Sequence, residues 1–508
     1  MNSASTSECP FRLDQCPDLG LLREAFKAAG VTQAGLEKTG HPANTDISIL
    51  LRRTTEPTAY NTLARLFRMA RTVPLETARV ALAGAKVDDL VALGLLELKD
   101  GQVRSIAAID LGGDLLIAHD YGREVTAHPI GSDFVLGLSP AGNTMAHMTV
   151  RRTRERMLDL GVGSGIQSLV AAQHAAHIIG VDINPRALNF AALNTRLNGI
   201  TSIELRQGSL YEPVEGERFD LIIANPPYVV SPESRYSYRD SGLGGDAISQ
   251  LVIRGAPAHL NEDGYCVVLC NWSHTNEEDW AERPLQWLRE TGCDAWLLQF
   301  GSNDPLTYAS RWLFATEGYD SKQYGGAIDE WMAYYEKAGI GAISHGAVVL
   351  RRRSGHKPWL RADSIPSRWR AVGCSDQIKR IFAAQDMLHE SGDSGAKLLD
   401  RALVLEPDHE LIHALHMENG NWVVANAALR QSAGFQFSGE VDAAVATVLA
   451  GCDGRHTLRT LFIELAKRLK LDFEPVAREG MKAIRTLMQA GFFSIADNNA
   501  RGAAGDVL

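Results

Sequence analysis

The sequence lacks any apolar run long enough to span a membrane. The ~18 consecutive apolar residues that such a helix needs occur nowhere in its 508 residues. The opening stretch, Met1 to Pro10, is polar and has no apolar core of the secretory type, so secretion is not expected. Cysteine is scarce: seven, an odd number, scattered from Cys9 to Cys452. Scattered thiols point to a reducing, cytoplasmic setting rather than a disulfide framework. Cys266 and Cys270 lie four apart inside an apolar run, where small core residues are a simpler reading than a metal pair. Histidines show no zinc-like spacing with cysteine, so no metal is expected. A basic excess is also missing. With 51 Lys and Arg against 61 Asp and Glu, the formal charge is −10. A protein that grips nucleic acid mainly through phosphates usually shows the opposite balance, so this lowers, without excluding, a nucleic-acid partner.

What is present is ordinary for globular protein: 45% hydrophobic and 22% charged residues. The length suggests roughly three units. Residues 1–108 read as an N-terminal helical, winged-helix-like domain. Thr58 to Arg71 carries Leu63, Leu66, Phe67 and Ala70 on one helical face. Pro74 opens a second helix through Leu82, and Lys86 to Leu93 forms a third, ended by Gly94. Two strands then flank Asp100-Gly101. The third helix holds two acids and one lysine, which suits a structural or protein-docking role better than DNA reading. Residues 109–150 form a connecting region, with Asp114–Ala118 and Asp133–Leu136 as expected short strands. Residues 151–355 alternate strand and helix, the pattern of an α/β, doubly wound, mainly parallel sheet covered on both faces, with a helical insertion at about 305–338. Residues 375–508 read as a mostly helical C-terminal unit, with room for a second winged helix.

The chemistry-bearing residues fall at the ends of the predicted strands. Asp159 ends the first strand, and Gly161, Gly163 and Gly165 allow a tight turn that a ligand can approach closely. Asp182 ends the second strand, where a carboxylate can accept hydrogen bonds from ribose hydroxyls or cap the helix starting near Pro185. These two features suit several nucleotide-binding enzymes. The narrower feature is Asn225-Pro226-Pro227-Tyr228, which follows a buried strand. Two prolines stiffen the loop and remove two donors. The Asn225 oxygen and the Pro226 carbonyl are then fixed acceptors for the two hydrogens of a planar NH2 group, and the Tyr228 ring can cover the substrate face. Such bonds orient a nitrogen lone pair and relieve developing positive charge. Arg239 and Asp240, in the glycine-rich segment after the loop, read as contacts to substrate backbone or as plain surface residues.

These motifs, Asp159-Leu-Gly-Val-Gly-Ser-Gly165, Val181-Asp-Ile-Asn-Pro-Arg-Ala-Leu188 and Asn225-Pro-Pro-Tyr-Val229, resemble those of class I methyltransferases, and among them the HemK-type release-factor glutamine methyltransferases. The resemblance covers about 130–350. It implies a Rossmann-like methyltransferase domain that holds S-adenosyl-L-methionine at the glycine turn, Asp182 and Ile183, and a substrate amide at Asn225 and Pro226. Two positions depart from the family. Ser209 stands in Gly208-Ser209-Leu210 where relatives often carry an acid near the adenine, and Thr144 remains from a stretch whose Arg and Glu are missing. The expected activity is transfer of a methyl group to a planar nitrogen of a protein glutamine, on a release-factor-like protein partner. The same loop occurs in adenine-N6 methyltransferases of RNA or DNA, which is the alternative. A third reading is a winged-helix regulator that only senses S-adenosylmethionine.

Overall fold

The structure, a computed structural model, describes residues 9–32, 46–126, 130–152, 155–317, 322–366, 369, 371–391 and 396–495. The expectation for Met1–Glu8 lies outside them. Contacts divide the chain into two compact units, one of residues 1–146 and 151–364, the other of 147–150 and 365–508.

The first unit begins with helices α1 (Gly20–Ala28), α2 (Ile47–Arg53) and α3 (Ala59–Phe67). The Thr58 hydroxyl caps α3 by accepting from the Asn61 N–H. Then follow β1 (Val73–Pro74), α4 (Leu75–Leu82), α5 (Val87–Leu93), β2 (Leu96–Lys99) and β3 (Gln102–Ser105), with strand order β1-β3-β2. The turn between β2 and β3 sits on Asp100 and Gly101, both at positive φ. A second hairpin, β4 (Ala108–Gly112) and β5 (Leu115–His119), comes next, then α6 (Pro140–Met148). Asp133–Leu136, expected as a strand, is irregular. Its polar backbone is tied to other loops instead of to a ladder.

The main sheet is built from β6 (Glu155–Leu160), α7 (Ile166–Ala171), β7 (Ala175–Asp182), α8 (Pro185–Leu197), β8 (Ile203–Gln207), β9 (Phe219–Ala224), α9 (Ala247–His259), β10 (Leu260–His274), α10 (Glu282–Arg289), β11 (Asp294–Asn303), α11 (Pro305–Glu317), α12 (Lys322–Ala338), β12 (Ala342–Arg351) and β13 (Leu360–Ser364). Strand order is β13-β11-β12-β10-β9-β6-β7-β8. The neighbours from β8 through β10 are parallel, whereas β12 runs antiparallel to both β10 and β11. This is the expected doubly wound α/β fold with a mainly parallel sheet, in which β12 is the antiparallel strand. Both faces of the central strands are covered, which explains their unbroken apolar runs, such as Leu221-Ile-Ile-Ala224. Cys266 and Cys270 are buried in β10.

The N-terminal helices and the sheet share one core. Phe11, Leu22, Phe26 and Leu82 cluster with Phe190, Leu193 and Leu197 on one face of α8. The Phe11 and Phe190 rings meet edge to face at 4.9 Å. Asn194 of α8 and Asn198, its C-cap, pair with the edge of β5. Asn194 exchanges bonds with the Ala118 N–H and C=O, at 2.7 and 2.8 Å, and Asn198 does the same with Leu116.

The second unit contains α13 (Cys374–Ser391), β14 (Ala402–Leu405), β15 (His409–Glu418), β16 (Asn421–Gln431), β17 (Ser438–Glu440), α14 (Ala443–Ala450), β18 (Asp453–Thr457), α15 (Leu458–Leu469), α16 (Phe473–Gln489) and β19 (Phe493–Ile495). Helices supply most of the regular structure here, and two small sheets, not expected from the sequence, are added to them. Six strands form two small sheets, ordered β18-β14-β19 and β15-β16-β17. Helices α14, α15 and α16 pack around Leu403, Phe462, Ile484 and Phe493, and the β15–β16 arm stands out from this core with most of its side chains exposed.

Candidate active site

The main sheet grows from β6 in two directions: β7 and β8 are added on one side, β9 and β10 on the other. At such a switch point the loops diverge and leave a crevice beyond the carboxyl ends of the strands. A cavity of about 820 Å3 lies there, within the range of small-molecule sites. Its wall combines Asp159–Ser164 after β6, Asp182–Asn184 after β7, Gly208–Leu210 after β8 and Asn225–Pro227 after β9.

Local bonds fix each of these loops. The Asp182 carboxylate accepts from the backbone N–H of Gly163 and of Asn184, both at 2.9 Å. It thus ties the glycine turn to the next strand, and Gly163 reaches that geometry at φ +54°. Burial raises the Asp182 pKa, with those N–H bonds opposing the rise. Asp159 is fully buried and accepts from the Ser168 hydroxyl at 2.6 Å. Burial pushes its pKa up to about 6, against the Ser168 bond and helped by the Asp182 charge. Asn194 reaches the same turn by donating to the Ser164 carbonyl at 2.8 Å.

The wall is acidic. Asp133, Asp159, Asp182 and Asp240 line it together with a single cationic side chain, Arg235, among the described residues. It also has an exposed apolar rim made of Leu136, Ile183, Leu243 and Leu251. Ser209 lies on the wall after β8. Asn225 is half-buried on the wall, and among the described residues its side-chain amide has no hydrogen-bond partner. Pro226 is buried beneath the same surface.

Three expected residues sit off the wall. Gly165, at φ +84°, packs the turn against α8, where an added Cβ would come within 3.2 Å of the Ala191 Cβ. Thr144 lies half-buried on α6. Its neighbour Gly142 is the wall residue, and the Gly142 carbonyl accepts from the Gln167 amide at 2.7 Å. Tyr228 bridges to Asp240 rather than lining the cavity. Its burial, with the Cys270 thiol nearby, pushes the hydroxyl up to about 12.

Arg239 is neither a surface residue nor a substrate contact. It is 1% exposed, ion-paired to Glu233 at 2.7 Å and Asp240 at 2.8 Å, and sandwiched between the Tyr236 and Trp331 rings. The sequence reading also missed how the helical insertion holds the loop. The Tyr308 hydroxyl accepts from the Val230 N–H at 3.1 Å and from the Asn271 amide at 2.6 Å. The Tyr335 hydroxyl donates to the Val230 carbonyl at 2.8 Å, and the Trp331 indole donates to Glu233 at 2.7 Å. The Asn225–Tyr228 loop is therefore anchored on its far side by α11 and α12. On the near side, Asn184 donates to the Asp133 carbonyl at 3.0 Å, and the Phe134 and Tyr238 rings lie 5.4 Å apart. The aromatic residues of 308–335 were the only sequence sign of this anchor.

Comparison with known proteins finds relatives that match part of the chain. The ribosomal protein uL3 glutamine methyltransferase of Bradyrhizobium diazoefficiens is 34% identical over 190 residues, 34% of this chain and 56% of that protein. The release factor glutamine methyltransferase of Xylella fastidiosa is 37% identical over 24% of this chain and 48% of that protein. The release factor glutamine methyltransferase of Cereibacter sphaeroides is 40% identical over 21% and 44%. The chain thus spans about half the length of the curated relatives it matches. Residues 46–106 and 379–494 match two families described only as domains of unknown function. The segment that carries the glycine turn, the Asp182 edge and the Asn225 loop, residues 141–283, matches the family described as the methyltransferase small domain.

Proposed function

We propose that this chain is an S-adenosyl-L-methionine-dependent N-methyltransferase that modifies the side-chain amide of a protein glutamine. The observation that carries the reading is the unpartnered Asn225 amide beside buried Pro226, at the edge of an acidic cavity on the sheet's switch point. The wall fits the donor. Asp182 has lone pairs left for ribose hydroxyls after its two backbone bonds, Ile183 and Leu210 offer apolar surface for a flat base, and Ser209 supplies a hydroxyl acceptor. Asp240 is already paired with Arg239 and Asp133 lies 4.0 Å from Arg186, so Asp159 and Asp182 are the wall carboxylates that favour a cationic ligand and disfavour polyphosphates. When bound, S-adenosylmethionine supplies an electrophilic methyl group.

The chain's own residues then bind and orient. The Asn225 oxygen and the Pro226 carbonyl accept the two N–H bonds of the amide, fixing its plane and stabilising positive charge as the nitrogen is alkylated. Pro227 stiffens the loop. Tyr228 carries the loop into its bridge with Asp240 and backs it, rather than covering the substrate. Among the described residues no side chain hydrogen-bonds the Asn225 amide, and in this reading the proton leaves to solvent after transfer.

A protein substrate is favoured over adenine in RNA or DNA by the acidic wall, the apolar rim and the exposed Asp88 and Asp89 on α5, the helix that would read DNA in a winged helix. We read residues 1–108 as a winged helix in a structural role, since its helices share a core with α8. Helix, strand, helix, helix and strand recur at α14–β18–α15–α16–β19, with β14 as the middle strand of that sheet, and we read this as a second, permuted winged helix. A reducing, cytoplasmic location is part of the same proposal; among the described residues no helix is long and apolar enough to cross a membrane.

The test is Asn225→Ala. Turnover on protein substrate should fall about 10²–10³-fold, as for loss of one preorganised polar group at a transition state, with donor affinity changed less than about threefold. Normal turnover would refute the role of the loop.

A further inference from the structure

The β15–β16 arm carries an apolar surface that the proposed reaction does not use. Cross-strand pairs place residues of the two strands on common faces. Leu411 pairs with Leu429 and His413 with Ala427 near the base, and Leu415 pairs with Val424 and Met417 with Trp422 towards the tip. The register shifts between Ala414 and Leu415. That bulge matters, because without it Val424 and Trp422 would point to the opposite face. With it, one face collects Leu411, Leu415, Met417, Trp422 and Val424 and no carboxylate, lysine or arginine, with His413, opposite Ala427, as its exposed polar side chain. Each of the five is between 47% and 67% exposed. The other face carries Glu410, His416, Glu418 and Arg430, with Glu410 and Arg430 paired at 2.8 Å. The arm is thus amphipathic in the sense of a sheet with one buried side, and that side lies open.

We infer that the arm is a dimerisation element: the apolar faces of two arms, from two copies of this chain, pack against each other about a two-fold axis. Three observations select a second copy. An isologous interface needs a patch complementary to itself, and a face free of carboxylates, lysine and arginine meets its own copy without burying a fixed charge. The patch offers roughly 600 Å2 per copy, so about 1,200 Å2 in the pair, the lower end of specific protein interfaces. A two-stranded arm is marginal alone in water. Sandwiching it against another two-stranded sheet completes the layer it lacks, with Trp422 as the anchor.

The experiment is a mass measurement on the full chain by analytical ultracentrifugation from about 0.5 to 100 µM. The wild type is expected to sediment as a dimer of about 110 kDa, twice the 55.3 kDa chain, dissociating on dilution. Trp422→Ser should weaken the dimer at least about 30-fold, and Leu415→Ser with Trp422→Ser should leave a monomer. Val423→Thr, on the opposite face, should change the dimer less than about threefold. Far-UV circular dichroism and the melting temperature of each variant, read alongside, show whether the unit remains folded, and a chain carrying only Leu415→Ser gives a second, milder perturbation. A wild type that is monomeric at 100 µM overturns the inference and assigns the face to a different protein or to another part of the same chain. A dimer that survives the double substitution overturns it as well, because the contact then lies elsewhere.

Discussion

Removing the Tyr308 hydroxyl tests whether the helical insertion holds the substrate loop. That hydroxyl accepts from two buried donors, the Val230 N–H and the Asn271 amide. In Tyr308→Phe neither donor has another acceptor supplied by the substitution, and the site is too buried for bulk water to replace it. A buried unsatisfied donor costs about 1–3 kcal/mol, so two cost about 2–6 kcal/mol before relaxation; shifting the Val230 backbone relieves part of this and moves the Asn225–Tyr228 loop as it does so. We expect a stability loss of about 2–4 kcal/mol and a turnover loss of about 10–100-fold. Donor affinity should barely change, because Tyr308 lies off the cavity wall. Tyr335→Phe is the control. It removes one donor from the Val230 carbonyl and should cost about 1 kcal/mol. Denaturant melts, initial rates and calorimetric donor titrations on both variants make the comparison. A Tyr308→Phe protein within about 0.5 kcal/mol of wild type and with unchanged turnover would refute the anchoring argument.

Other consequences concern the donor pocket. Asp159 has its pKa raised to about 6 in the folded protein, above the ordinary 3.8, so in the free protein its ionisation opposes folding; the stability it contributes is present below about pH 4 and lost as pH rises through about 6. A cation bound beside Asp159 favours the charged form, so donor affinity should fall by up to about tenfold per pH unit below pH 6, and Asp159→Asn should flatten that profile in calorimetric titrations between pH 5 and 8. Asp182→Ala removes the acceptor of two backbone N–H groups as well as the ribose contact; donor binding should weaken by about 100-fold or more, and near-wild-type affinity would disprove the placement. Gly165→Ala puts a side chain at φ +84° against Ala191 and should lower stability by about 1–3 kcal/mol in a thermal melt; a neutral effect would show that the turn does not need that approach to α8.

The sheet was legible because its strands alternate with helices and are apolar on both faces, and the wall of the cavity was legible because it consists of strand ends. Asp159, Gly161, Gly163, Asp182, Ile183, Ser209, Asn225, Pro226 and Pro227 all come together there. The residues that hold the wall were not legible. Tyr308 and Tyr335 act on Val230 from 78 and 105 positions away, and no local pattern records such a contact. Arg239 looked like a surface residue because its neighbours are polar, yet Glu233 and Asp240 neutralise it inside the protein. The segment 133–136 is apolar enough for a strand but spends its backbone bonds on Asp120 and Asn184. In the second unit the β15–β16 arm was missed because its bulge breaks the period-two pattern. The usable sign was Asn419-Gly420, both at positive φ, the pair favoured in tight hairpin turns.

The central claim is tested most directly by identifying the methylated product. The purified chain, incubated with labelled S-adenosylmethionine and a cell lysate, should put label into a protein band that resists RNase and DNase and is lost to protease. Mass spectrometry of that band should locate the added 14 Da on a glutamine side-chain amide, and the Asn225→Ala chain should give about 100-fold less. Label that survives protease and disappears with RNase or DNase, carried on adenine, would contradict the account.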